Sequence, residues 1–266
     1  VSDGGVRWYA NAVVAAIRGY RPLHLDLRVP PGPGPFPVVV YVHGGAWWQG
    51  SRLRLPETIA AVGFHDRLLR RGYAVADVDY RLSQEAIFPA QLHDVKAAIR
   101  WLRRYSPELR LDPARFAAWG ESAGGHLAAL AGLSGSADDA VQAVVDWYGV
   151  AGLIDELDAP PTEPDPAAWL LGGPLAERRA AAMEASPLSH VHAGAPPFLC
   201  MHGTADKTVP FRHSELLAAA LRSHGVRCDL HPVAGADHIF LGAPDVGALV
   251  DTSVDFVDDV LGGRAG

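Results

Sequence analysis

The chain has 266 residues, enough to bury a sizeable core, and its 49% hydrophobic and 20% charged content matches globular averages, which excludes disordered and fibrous classes. A net charge of −7, with no stripe of Lys or Arg, argues against nucleic acid as a partner. No apolar run reaches the roughly 18 residues of a membrane span. Val1 to Val6 shows no basic and apolar leader, so a cytoplasmic protein is expected, with secretion left open because the first residue is not Met.

In chain order, Tyr9 to Ile17 and Leu23 to Val29 read as extended runs either side of Arg18-Gly19-Tyr20-Arg21-Pro22, an N-terminal antiparallel hairpin. The Pro-Gly stretch from Pro30 to Pro37 breaks the pattern before an apolar strand at Val38 to Val42. Further strands are expected at Tyr73 to Val78, Arg115 to Trp119, Val141 to Tyr148, Pro197 to His202 and Arg227 to Val233. Between and after them come helices near Ile59 to Arg71, Pro89 to Tyr105, Ser122 to Gly132, Phe211 to Ser223 and Val246 to Val260. That alternation predicts an α/β fold, a mostly parallel central sheet flanked by helices. One insertion interrupts it at about 150–195, where Pro160-Pro161-Thr162-Glu163-Pro164-Asp165-Pro166 precedes short helical patches. It reads as a small cap over the pocket within a single domain spanning 1–266.

The run Trp119-Gly120-Glu121-Ser122-Ala123-Gly124-Gly125-His126 carries the chemistry. It places a serine between glycines where an apolar strand gives way to a helix, a sharp turn at which a Cβ on Gly120 or Gly124 would clash. The Ser122 hydroxyl is then exposed at a helix N-terminus, where backbone N–H groups favour developing negative charge. Serine is a weak nucleophile at neutral pH and needs a histidine base, an acid to orient it and donors for an oxyanion. Tyr41-Val42-His43-Gly44-Gly45-Ala46-Trp47-Trp48 follows one strand and offers backbone donors. Met201-His202-Gly203-Thr204-Ala205-Asp206 leaves an acid at the end of another, and Gly235-Ala236-Asp237-His238 supplies the base.

On these motifs the chain resembles the α/β-hydrolases, specifically small carboxylesterases near the hormone-sensitive lipase-like and feruloyl-esterase-like (BD-FAE) groups. The resemblance spans nearly the whole chain, including Asp77-Val78-Asp79-Tyr80-Arg81-Leu82 and Phe88-Pro89-Ala90-Gln91-Leu92-His93-Asp94-Val95. It implies the order Ser122, Asp206, His238 for a catalytic triad. It also implies an oxyanion hole from the N–H groups of Gly44, Gly45, Ala46 and Ala123. Ala46 stands where the longer His-Gly-Gly-Gly form has glycine, which points away from esters of bulky tertiary alcohols. No cofactor is implied, and a small-molecule ester is the expected partner.

Competing readings accompany each assignment. Ser122 as a plain helix cap is disfavoured by its companion motifs. Asp237 competes with Asp206, but immediate neighbours of a histidine rarely point the right way. His43 is expected to scaffold its loop, and His126, His202 and His231 to be core or edge histidines. Trp47, Trp48, Tyr148, Phe211, Ile239 and Phe240 flank the catalytic loops and are expected to form the acyl and alcohol pockets, with core packing as the rival. Cys200 and Cys228 fall on neighbouring strands and read as buried small hydrophobes rather than a disulfide. His190-Val191-His192 is assigned no metal. The expected activity is hydrolysis of short- to medium-chain acyl esters, aryl and carbohydrate esters included. The alternatives are an arylformamidase-type amidase, which shares the His-Gly-Gly-x-Trp pattern, and a non-catalytic hydrolase-fold binding protein.

Overall fold

The computed structural model describes residues 2–3, 5–153 and 165–262. Among them nine strands form one sheet: β1 (Ser2–Asp3), β2 (Val6–Ala15), β3 (Leu23–Val29), β4 (Phe36–Val42), β5 (Ala74–Val78), β6 (Leu111–Glu121), β7 (Ala143–Trp147), β8 (Phe198–Gly203) and β9 (Cys228–Val233). The helices are α1 (Glu57–Ala60), α2 (Phe64–Arg70), α3 (Ala90–Arg104), α4 (Ser106–Leu109), α5 (Ala123–Leu133), α6 (Pro166–Leu171), α7 (Arg179–Glu184), α8 (Arg212–Ser223) and α9 (Val246–Leu261). Strand order is β1-β2-β3-β5-β4-β6-β7-β8-β9. The first three strands and the β3–β5 pair are antiparallel, and every pair from β5 to β9 is parallel. The expected α/β fold with its N-terminal hairpin is what forms.

The pleat sorts the sheet's side chains onto two cores. Val38, Val40 and Val42 of β4 face one with Val95, Ile99 and Leu102 of α3 and Leu127 and Leu130 of α5. Val39 and Tyr41 face the other with Phe64 and Leu68 of α2 and Val250, Val254 and Val257 of α9. Strands buried on both faces need continuous apolar runs, and Val38-Val39-Val40-Tyr41-Val42 is one. Helix α3 buries one stripe, whereas α5 is buried at every position, as its Ala- and Gly-rich sequence allows. No helix among the described residues is long and apolar enough to cross a membrane.

Three expectations need correction. The helix anticipated from Ile59 to Arg71 is two short ones, because Gly63 takes a left-handed conformation at φ 68° and restarts the chain. Strand β6 begins at Leu111, earlier than Arg115, because Leu111 already pairs with Phe36. A short helix, α4, went unanticipated between α3 and β6. The proline-rich run 160–166 lies outside the described residues up to position 164, and Asp165 caps α6 by accepting Ala168 N–H at 2.9 Å. Cys200 and Cys228 are free thiols buried on adjacent parallel strands, one donating to the other's sulfur at 3.7 Å, as small residues of the core.

Candidate active site

Strand β6 delivers Ser122 to the head of α5 through a strained residue, with φ 55° and ψ −121° at Ser122 itself. The turn is tight enough that a Cβ on Gly120 would overlap Gly124 O, and one on Gly124 would overlap Val42 O. The Ser122 side chain makes no cap bond to its own helix. Its hydroxyl faces His238 Nε2 at 3.0 Å instead. His238 Nδ1 lies 2.7 Å from Asp206 Oδ2. A carboxylate can only accept, so Nδ1 carries the proton and Nε2 is left to accept the Ser122 hydroxyl hydrogen.

Asp206 is held at the end of β8 by several donors. Its Oδ1 accepts Thr208 N–H at 2.8 Å and Val209 N–H at 2.9 Å, and His202 Nε2 approaches Oδ2 at 3.3 Å. Burial alone would raise its pKa, but the hydrogen bonds from His202, His238 and Val209 outweigh it and hold the carboxyl well below the usual carboxylate range. Asp237 does different work: its Oδ1 accepts His238 N–H at 2.8 Å and Lys207 N–H at 3.0 Å, which fixes the backbone of both loops.

The loop after β4 comes to the nucleophile with Ala46 and Trp47 at φ 53° and 62°, the left-handed region that non-glycine residues seldom occupy. Among the described residues the N–H groups of Gly45, Ala46 and Ala123 have no acceptor. Gly44 departs from expectation: its N–H is engaged by Glu121 Oε1, so it is not free to serve an oxyanion. His43 scaffolds, as anticipated, with its ring stacked on Tyr80 at 4.3 Å and Nδ1 bonded to Gly44 O at 2.7 Å.

A cavity of about 490 Å³ opens on Ser122. Trp47, Ala46 and Ala123 line it beside the serine, and Val150, Leu153, Val209, Pro210 and Leu216 form apolar walls. Asp165, Pro166 and Ala167, from the anticipated cap, also line it, together with Thr208, Arg212 and His213. Trp47 is locked in place: its Nε1–H donates to His126 Nδ1 at 3.1 Å, and His126 Nε2–H donates to Ala185 O at 2.6 Å. Burial pushes His126 down to about 4, so the imidazole stays neutral and keeps both bonds.

The other five residues expected in the pocket are elsewhere. Tyr148 and Phe240 are fully buried and pack against each other at 4.8 Å, with Tyr148 also backing the His238 ring at 4.8 Å. Ile239 packs on the second core, and its carbonyl accepts the Thr58 hydroxyl, which ties the His238 loop to α1. Phe211 packs edge-on to His202. Trp48 meets Trp169 at 5.2 Å in a separate cleft with Ser83, Gln84 and Ile87. Of the six, Trp47 lines the cavity, because neighbours of a catalytic loop in sequence are sent into core or cavity by the backbone of each loop separately. The apolar walls from Val150, Leu153 and Leu216 went unrecognised because nothing in their local pattern separates a pocket wall from core. His190 and His192 each bond a backbone carbonyl, of Glu184 and Leu133 respectively.

The BD-FAE family model matches residues 25–221. Esterase LipQ of Mycobacterium tuberculosis is 34% identical over 249 residues, covering 86% of this chain and 57% of LipQ. Esterase LipC of the same organism is 32% identical over 253 residues, covering 87% of this chain and 60% of LipC. The chain thus spans little more than half the length of these curated relatives. Among solved structures, a truncated carbohydrate esterase from gut microbiota is similar with a TM-score of 0.83 at 27% identity, covering 96% of both chains. A propionate-bound esterase, Est2 of Thermogutta terrifontis, follows with a TM-score of 0.77 at 26% identity, covering 98% of this chain and 97% of its own.

Proposed function

The chain belongs to the BD-FAE family, and from that premise we propose that it is a serine carboxylesterase hydrolysing short- to medium-chain acyl esters. The observation that carries the proposal is the unbroken relay from Asp206 through His238 to the Ser122 hydroxyl, at 2.7 and 3.0 Å, beside unengaged backbone donors. Ser122 Oγ attacks the ester carbonyl as His238 Nε2 takes its proton, and Asp206 stabilises the imidazolium. Ala123, Gly45 and Ala46 N–H groups receive the oxyanion, each typically contributing about 3 kcal/mol of transition-state stabilisation. His238 then protonates the departing alcohol and activates the water that releases the acid from Ser122.

The cavity's apolar walls and size suit a short or medium acyl chain. Aryl and carbohydrate esters fall within the proposal, the latter supported by likeness to the gut carbohydrate esterase. The segment from Asp165 onward serves as a small cap on one hydrolase domain. Hydrolysis of p-nitrophenyl esters from acetate to laurate tests the reading. Turnover should fall with chain length, and Ser122→Ala should lower kcat about 10⁵- to 10⁶-fold. Equal turnover in Ser122→Ala, or no ester hydrolysis by the wild type, would overturn it.

A further inference from the structure

The loop that presents the oxyanion donors is gripped by a side chain with no part in the proton relay. Glu121 closes β6 immediately before Ser122 and is only 5% exposed. Its Oε1 accepts Gly44 N–H at 2.5 Å. The fit at Gly44 is exclusive, since a Cβ there would lie 2.5 Å from both carboxyl oxygens. The Tyr80 hydroxyl donates to the preceding carbonyl, His43 O, at 3.0 Å. Residues 43 and 44 are therefore clamped, and the next two residues carry the unengaged N–H groups. Ala46 holds its left-handed conformation inside a turn closed by Trp48 N–H and Gln49 N–H donating to Gly45 O at 3.2 and 3.0 Å, and the clamp on residues 43 and 44 fixes where that turn starts.

We propose that Glu121 is a positioning residue of the oxyanion hole: its carboxyl fixes Gly44 N–H and so keeps the N–H groups of Gly45 and Ala46 directed at the substrate carbonyl over Ser122. The inference rests on the esterase reading. Burial pushes the carboxyl up to about 8, so it is uncharged at neutral pH. The titratable groups around it are Tyr41 from β4, Tyr80 after β5 and Tyr148 after β7, with Asp77 and Asp79 beyond the first two and Asp206 beyond the third. His43 lies in the clamped loop and His238 across Ser122. Burial raises all three tyrosines well above their ordinary range and lowers His43, so these stay neutral while Glu121 ionises. A carboxylate one residue from the nucleophile opposes a developing oxyanion, which gives the wild type an alkaline limb near pH 8.

The test compares wild type, Glu121→Gln and Glu121→Ala on p-nitrophenyl butyrate, with inhibition by a trifluoromethyl ketone that mimics the tetrahedral adduct. Glu121→Ala should lower kcat about 10- to 100-fold with KM within about threefold, and weaken the inhibitor by a matching factor. Glu121→Gln keeps an acceptor of the same shape, so it should restore kcat and lose the limb near pH 8. Wild-type kcat and inhibition in Glu121→Ala would overturn the role, as would an alkaline limb that persists in Glu121→Gln. If Glu121→Ala does not fold, Glu121→Ser, too short to reach Gly44 N–H, replaces it, and wild-type kcat and inhibition in that variant overturn the role. A wild type without turnover defeats the esterase reading itself, whereas wild-type turnover matched by Glu121→Ala defeats only the positioning role.

Discussion

Asp206 and Asp237 both touch the His238 segment, yet they do opposite things because of where each carboxyl sits. Asp206 reaches the imidazole Nδ1, while Asp237 holds backbone N–H groups on either side of the loop pair. Asp206→Asn should therefore lower kcat about 10³- to 10⁴-fold, since an amide can stabilise the wrong imidazole tautomer. Asp237→Asn retains an oxygen for the same two N–H groups and should stay within about threefold of wild type. Ester hydrolysis rates of the two variants decide this, and the reverse ranking would reject the assignment. At this scale the hydrogen-bonded set Ser122, His238 and Asp206, proposed as the triad, was legible, because Gly-x-Ser-x-Gly, the acid after a strand and the late histidine are each local patterns. The pocket was not, because Tyr148 and Phe240 differ from Trp47 only in the direction the backbone sends them. Glu121 left one signal that was passed over: a carboxylate set in an otherwise apolar strand end has to be buried with a partner.

The elbow is the element on which the site depends. Helix α5 is buried on all sides and runs close beneath β4, so small residues are a steric requirement there rather than a preference. Gly124→Ala would force a methyl into Val42 O and displace the loop that follows it. We expect a loss of about 3 kcal/mol or more, read as a lowered denaturation midpoint, with activity falling in parallel. An unchanged midpoint would contradict this packing. The sequence pattern was enough to find α3, α5, α8 and α9, whose apolar spacing is long and regular. It missed the break at Gly63 because a lone glycine in an apolar run is read as tolerated until tertiary contacts fix its φ.

The folded chain as a whole buries several groups in their neutral forms, and that sets its response to pH. Glu121 keeps its proton up to about 8, against an ordinary value of 4.5. The folded state thus binds a proton that the unfolded chain has released, so stability from this group declines as pH rises from about 4.5 to 8. Asp146, raised by burial to about 6, loses its contribution lower in the same range. His126 acts in the opposite sense: lowered to about 4, it withdraws stability as pH falls from 6.5. Wild type should be less stable at pH 8.5 than at pH 6 by about 2 kcal/mol from Glu121, and Glu121→Gln should flatten that difference. Urea denaturation at the two pH values measures it, and an equal drop in both proteins would refute the attribution. Strand and helix periodicity and the three motifs proposed as catalytic were determined by sequence alone, because each depends on residues within a few positions of one another. Which backbone donors remain free, which aromatic side chains reach the cavity and which carboxyl accepts Gly44 N–H depend on residues far apart in sequence, such as Gly44 and Glu121, 77 positions apart, which only the approach of strands like β4 and β6 brings together.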